Sequence, residues 1–158
     1  MQYIKLKEID NEQITRFFVE HWDSPEMVIS SGVYQCDRLP GYAAVSSQRV
    51  IVGLITYIIN AGECEIISLD SLLEKQGIGT KLVGLVEMEA RNTDCHRLKL
   101  VTTNDNMHAL GFYQRRGYRI VKIFSGAVDK ARAIKPEIPL VAENGIAIKD
   151  ELLLAKRL

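Results

Sequence analysis

Apolar and polar positions change their period along this chain, and each change marks an element. Ile4 and Leu6 alternate with Lys5 and Lys7, the period of a half-buried strand. Asp10 and Gln13 resemble a capping box opening a helix, with Ile14, Phe17, Phe18 and Trp22 marking its buried face. Residues 20–40 carry Asp23-Ser24-Pro25 and Ser30-Ser31-Gly32 and read as a turn-rich connection with room for a short helix. Strand-like runs follow at 41–45, 50–59 and 63–69. The links between them, Ser46-Ser47-Gln48 and Asn60-Ala61-Gly62, are short and polar, which predicts an antiparallel meander.

The period then lengthens. Ile78, Leu82, Leu85, Val86 and Ala90 step by three or four with Lys81, Glu87 and Arg91 opposite them, which predicts an amphipathic helix. Residues 97–103 read as a strand and 106–116 as a second helix, closed by Gly117 where a left-handed residue is wanted; 118–124 returns to strand. The tail holds a short helix over 128–134, a proline-containing loop, an Asn144-Gly145 turn and a last strand around 152–156. The prolines, at 25, 40, 136 and 139, leave 41–135 free for continuous helices and central strands. No internal repeat or low-complexity tract interrupts the pattern, and 158 residues predict one mixed α/β domain spanning 1–158.

Composition narrows the function. The chain is 47% apolar and 25% charged, with 20 Lys plus Arg against 20 Asp plus Glu, so no bulk field exists to hold a nucleic acid or an anionic membrane surface. Cys36, Cys64 and Cys95 form an odd set without a CxxC pair, which disfavours a disulfide framework and a thiolate zinc site. His108 has no histidine partner at ligand spacing, so no metal is predicted. No run approaches the ~18 apolar residues of a membrane span and no signal-peptide core opens the chain, so the expectation is a cytoplasmic protein with reduced thiols.

The candidate chemistry begins at 63–80, where a strand leads through Asp70–Gln76 into Gly77-Ile78-Gly79-Thr80 at a helix start. Glycines there let a ligand approach backbone N–H groups, and the helix dipole favours phosphate. Neither nucleotide fingerprint fits: the P-loop spacing is absent, and Leu82 stands where GxGxxG needs its third glycine. A second cluster follows at Asn104-Asp105-Asn106, Ala109, Phe112-Tyr113 and Gly117-Tyr118. Together, Glu74-x-x-Gly77-x-Gly79 and Asn106-x-x-Ala109-x-x-Phe112-Tyr113-x-x-x-Gly117-Tyr118 resemble the GNAT superfamily of acyl-CoA-dependent N-acyltransferases, and the order of elements matches over essentially the whole chain.

The resemblance implies a mostly antiparallel central sheet of about six to seven strands flanked by helices. It implies acetyl-CoA as cosubstrate, its pyrophosphate held by backbone N–H groups across Lys75, Gln76, Gly77, Ile78, Gly79 and Thr80, with the Thr80 hydroxyl a further donor. The strand end at Leu69 and Ser71 would pair with the pantetheine amides and polarise the thioester carbonyl. Asn106 would cap the second helix beside the pantetheine arm, and Tyr113 would protonate the departing thiolate; the bland alternatives are a simple cap and a core aromatic. Glu74 departs from the Gln or Arg usual at its position, and a carboxylate beside a pyrophosphate repels it, with Lys75 a partial offset.

An acceptor amine must lose a proton before attack, and Glu65, with Glu63, is the favoured base on the meander's last strand, against a solvated carboxylate or a water chain. His21 and Trp22 end the first helix, where a surface His and a packed Trp are the plain readings. The expected reaction is direct attack of a small-molecule or peptide primary amine on the thioester in a ternary complex, with no acyl-enzyme. The alternatives are a non-catalytic acyl-CoA-binding sensor, which keeps the glycine site and does not depend on Tyr113, and an interaction domain that has lost the coenzyme. The sequence fixes neither the acceptor nor the oligomeric state, homodimer included, and leaves 125–150 as either a cover for the acceptor pocket or edge padding.

Overall fold

A computed structural model describes residues 1–158, with no cis peptide bonds. In chain order the elements are β1 (Gln2–Lys5), α1 (Asn11–Trp22), β2 (Glu26–Ile29), β3 (Gly32–Gln35), β4 (Gly41–Val45), β5 (Ile51–Asn60), β6 (Glu63–Ser71), α2 (Ile78–Asn92), β7 (Arg97–Thr103), α3 (Met107–Arg115), β8 (Arg119–Phe124), α4 (Ala127–Ile134) and β9 (Glu151–Arg157). The chain folds as two compact units, the first made of 1–27, 34–98 and 158, the second of 28–33 and 99–157. Seven strands form the sheet, β1-β4-β5-β6 in the first unit and β7-β9-β8 in the second, while β2 and β3 pair as a separate hairpin. The pairs β1·β4, β4·β5, β5·β6 and β8·β9 are antiparallel, and four helices complete a mixed α/β fold.

In the first unit the predicted meander is β4-β5-β6. Gly53 of β5 shows which face α2 covers: a Cβ added there would sit 2.6 Å from Ile78 Cγ2 and 3.3 Å from Leu82 Cδ1. The helix stripe Ile78, Leu82, Val83, Val86 and Ala90 is accordingly buried, as its period required. Register places Leu54, Thr56 and Ile58 on the opposite face. Their partners are Asp70, Ser68 and Glu65, because β6 carries one extra residue, Ile67, opposite the step from Thr56 to Tyr57. Leu54 and Ile55 are fully buried, so this strand is the centre of the unit's core.

Three expectations are corrected here. Asp10 caps α1 by accepting the Glu12 N–H at 3.2 Å, but Gln13 does not reach back to close a capping box; its amide donates to Arg49 O at 3.2 Å. Residues 20–40 hold the short helical turn that was expected, at Cys36–Arg38, but also the β2–β3 hairpin, which was not. Trp22 does not join the buried face of Ile14, Phe17 and Phe18, because it is the last helical residue, just before left-handed Asp23, and stays 36% exposed.

In the second unit Asn104 is the fastener at the end of β7. Its side chain accepts the Lys149 and Asp150 N–H groups at 2.9 and 3.0 Å and donates to Ala147 O at 2.9 Å. Glu151, only 2% exposed, accepts the Ser30 N–H at 2.9 Å and so fixes the hairpin turn to β9. The segment 125–150 is built into this unit. Arg132 of α4 binds the Ile138, Pro139 and Ile148 carbonyls at 3.0, 2.7 and 3.0 Å and pairs with Asp129 at 2.8 Å.

Candidate active site

The first unit presents the β6–α2 turn. Lys75 and Gly77 both take left-handed conformations, φ 58° and 71°, and the second is the N-cap of α2 with no side-chain cap. Alternating handedness at consecutive positions turns successive N–H groups inward and forms a concavity that suits an anion. The helical ladder starts with Lys81 N–H on Gly77 O at 3.0 Å, so the N–H groups of Ile78 and Gly79 lie outside it. No acidic residue occupies the first turn of α2 to compete for that pole. Lys75, Gln76, Gly77 and Thr80 are exposed, and so is Ser71, whose hydroxyl donates to Leu73 O at 3.1 Å. Leu69 faces Ile55 in register, on the α2 side of the sheet.

Behind that turn, the β5/β6 face away from α2 carries a polar row. Thr56 and Ser68, both buried, share a hydrogen bond of 2.6 Å. Glu65 lies beyond them, 4% exposed and opposite Ile58; Glu63 shares its face and pairs with Arg97 rather than standing solvated. At the solvent end is Asp70, whose Oδ2 accepts the Trp22 indole N–H at 2.7 Å. Sequence reasoning passed over Asp70, because its place in the row exists only once the extra residue in β6 shifts the alternation. Burial lifts the Asp70 carboxyl from 3.8 to about 6, while the Trp22 hydrogen bond and His21 pull the other way.

That shift has a sign for stability. The folded carboxyl binds its proton more tightly than the unfolded one, so stability is fullest at low pH and falls as pH rises from about 4 through about 6. Asp70→Asn keeps an oxygen for the indole and removes the buried charge. It should therefore gain about 1–2 kcal/mol at neutral pH, allowing for solvent screening of the half-exposed group, and nothing at pH 4. Urea titrations of both proteins at the two pH values check this.

The second unit presents α3. Asn106 is exposed and caps the helix, accepting the Ala109 N–H at 3.1 Å. Tyr113 is 5% exposed, its ring edge-on to Phe112 and Tyr118 at centroid distances of 5.0 and 5.4 Å. The Arg116 guanidinium lies 3.5 Å from the Phe112 ring centroid and donates to Phe112 O at 2.7 Å. One oxygen of Asp105, Oδ1, is buried without a hydrogen-bond partner. A cavity of about 440 Å³ opens between Val28–Ser30 and α4; Lys130 is the only charged residue in its wall.

The cysteines are free and buried, and burial, with Cys95 and Glu65 adding, pushes the Cys64 thiol up to about 12. Cys64 therefore stays a protonated core residue rather than a nucleophile. No group of three or more His, Cys, Asp and Glu is arranged to hold a metal ion, and no helix is long and apolar enough to cross a membrane.

A glycine-opened helix follows the meander, and the tyrosine-bearing α3 comes after it in the chain. The chain matches the acetyltransferase (GNAT) family over residues 6–118 and belongs to that family. It is 54% identical to the Bacillus subtilis (strain 168) protein YdhI over 156 residues, 99% of this chain and 98% of that protein. Its fold is similar to a GNAT family acetyltransferase from Elizabethkingia anophelis with acetyl-CoA bound, at TM-score 0.66 and 26% identity over 76% of each chain. It also resembles a Bacillus subtilis acetyltransferase in complex with CoA, at TM-score 0.71 and 20% identity over 99% of this chain and 98% of the other.

Proposed function

We propose that this chain is an acetyl-CoA-dependent N-acetyltransferase acting on a primary amine by direct attack in a ternary complex. The observation that carries the reading is the left-handed Lys75/Gly77 turn opening α2 in a member of this family. The acetyl-CoA seen in the Elizabethkingia anophelis relative supports the choice of cosubstrate. The family match over 6–118 supports the part of the proposed 1–158 domain that it covers.

In this reading the backbone from Lys75 to Thr80 holds the pyrophosphate, with Gly79 leaving room for it, and Leu69 and Ser71 meet the pantetheine arm. Asn106 caps α3 beside that arm. The Tyr113 hydroxyl gives its proton to the departing thiolate, whose charge is costly without one. Glu65 is buried, so it takes the amine proton only through intervening water or hydroxyls. Lys75 offsets the exposed Glu74 carboxylate, and backbone donors supply the main anion contacts.

Acetyl-CoA is expected to bind at one site per chain. At a hundred times its Kd it should stabilise the fold by about 2.7 kcal/mol, raising Tm by about 5–10 °C. Calorimetry without binding at millimolar ligand would remove both the enzyme and the sensor readings. Coenzyme A release across an amine panel separates those two.

A further inference from the structure

We propose that the cavity beside α4 is a binding site for a small carboxylic acid with an apolar body, its carboxylate held by Lys130 and its body by the surrounding side chains. Such a site stands apart from the acetyltransferase reading above, and its test reads binding rather than turnover.

The cavity lies wholly within the second unit. One wall is the hairpin segment from Val28 to Ser30, and the other is Phe124, Ser125 and α4. Both walls are fastened to the same three residues leading into β9. The Ser30 N–H donates to Glu151 at 2.9 Å, the Gly126 N–H to Asp150 Oδ1 at 2.8 Å, and the Val128 N–H to Lys149 O at 3.0 Å. A site whose walls are held in place beforehand loses little conformational freedom when a ligand enters. Its volume of about 440 Å³ falls in the range of small-molecule sites.

The wall chemistry selects the ligand. Val28, Ile29, Phe124, Ala131 and Ile134 make most of the lining apolar, and Ile134 leaves 60% of its surface to solvent, which an apolar body would cover. The polar side chains in the wall are Ser30, Ser125 and Lys130, and none of the three is hydrogen-bonded or ion-paired within the protein. Charges close by are already engaged: Arg132 pairs with Asp129 at 2.8 Å, and Glu151 accepts the Ser30 N–H. Lys130 therefore gives the cavity one uncompensated positive charge, which matches a monoanion. A polyphosphate or a sugar phosphate does not fit, because its many polar groups would face apolar walls without partners. The Ser30 and Ser125 hydroxyls are further donors for a carboxylate.

The test is calorimetric binding of two probe acids, phenylacetate with an aryl body and isocaproate with a branched alkyl one, beside the neutral phenylacetamide and the cationic phenethylamine. At least one acid should bind at one site per chain, about tenfold tighter than the amide, while the amine should not bind. Lys130→Met keeps the apolar stem and removes the charge, so it should bring the acid down to the affinity of the amide. Lys130→Glu should reverse the preference and admit phenethylamine. Ala127→Leu, which fills part of the cavity, should weaken the acid and the amide alike. The Lys130 side chain makes no polar contact in the fold, so thermal unfolding of the two Lys130 variants without ligand should match the wild type. No saturable binding of either acid at millimolar concentration overturns the proposal. Binding that acetyl-CoA displaces and that Lys130→Met and Ala127→Leu both leave unchanged overturns it as well, since the acid then sits elsewhere on the molecule.

Discussion

Tyr113→Phe is expected to cut acetyl transfer by about 10²–10⁴-fold while leaving the fold and acetyl-CoA binding in place. The substitution removes one hydroxyl and keeps the ring, which Phe112 and Tyr118 hold edge-on from two sides at 5.0 and 5.4 Å. A buried hydroxyl that served only packing would show its loss in stability, at about 1 kcal/mol, and leave the chemical step alone. The two roles therefore separate in kcat under saturating acetyl-CoA and amine. An unchanged turnover number returns Tyr113 to the core.

Gly41→Ala is expected to be the most damaging single methyl addition in the sheet. A Cβ at Gly41 would lie 1.9 Å from the Ile55 carbonyl oxygen and 2.9 Å from Leu6 Cδ1. The first of these is main chain in the fully buried centre of β5, which cannot swing aside as a side-chain end can. Strands β4 and β5 must part, so the cost should exceed about 3 kcal/mol and the variant should fold poorly. Gly84→Ala is the matched control, because a Cβ there meets nothing within 4 Å, and a helical Gly-to-Ala change is favourable by about 1 kcal/mol. Equilibrium denaturation of the two variants reads the difference directly.

Much of this molecule was legible along the chain because its long elements repeat their pattern. Leu82, Val86 and Ala90 step cleanly enough to place α2, and the polar links at 46–48 and 60–62 were sufficient to order the meander. The β2–β3 hairpin escaped because each strand has four residues, too few for alternation to stand above chance. Trp22 was misplaced for a different reason: helical period alone assigns it to the core, but its indole is drawn to a carboxylate far along the sequence. The candidate site shows the limit most clearly. Strict alternation puts Glu65 on a face with Ile67 and Leu69, and Asp70 on the other. A single extra residue in β6 reverses that parity and aligns Glu65, Ser68 and Asp70, and no composition or spacing signal announces it.

The contacts of Arg132 determine how the chain between α4 and β9 can move. That stretch lacks regular structure apart from the isolated bridge of Val141 with Ala147, yet one guanidinium ties together carbonyls from both of its ends. A loop held by Arg132 and, toward β9, by Asn104 opens as one cooperative piece rather than fraying residue by residue. Asn144 ties the tip to Asp105 O at 2.9 Å, so an inserted tag or a protease nick costs the fold least just before it, at the exposed Glu143, while the carbonyls of Ile138 and Ile148 mark where such changes begin to release β9.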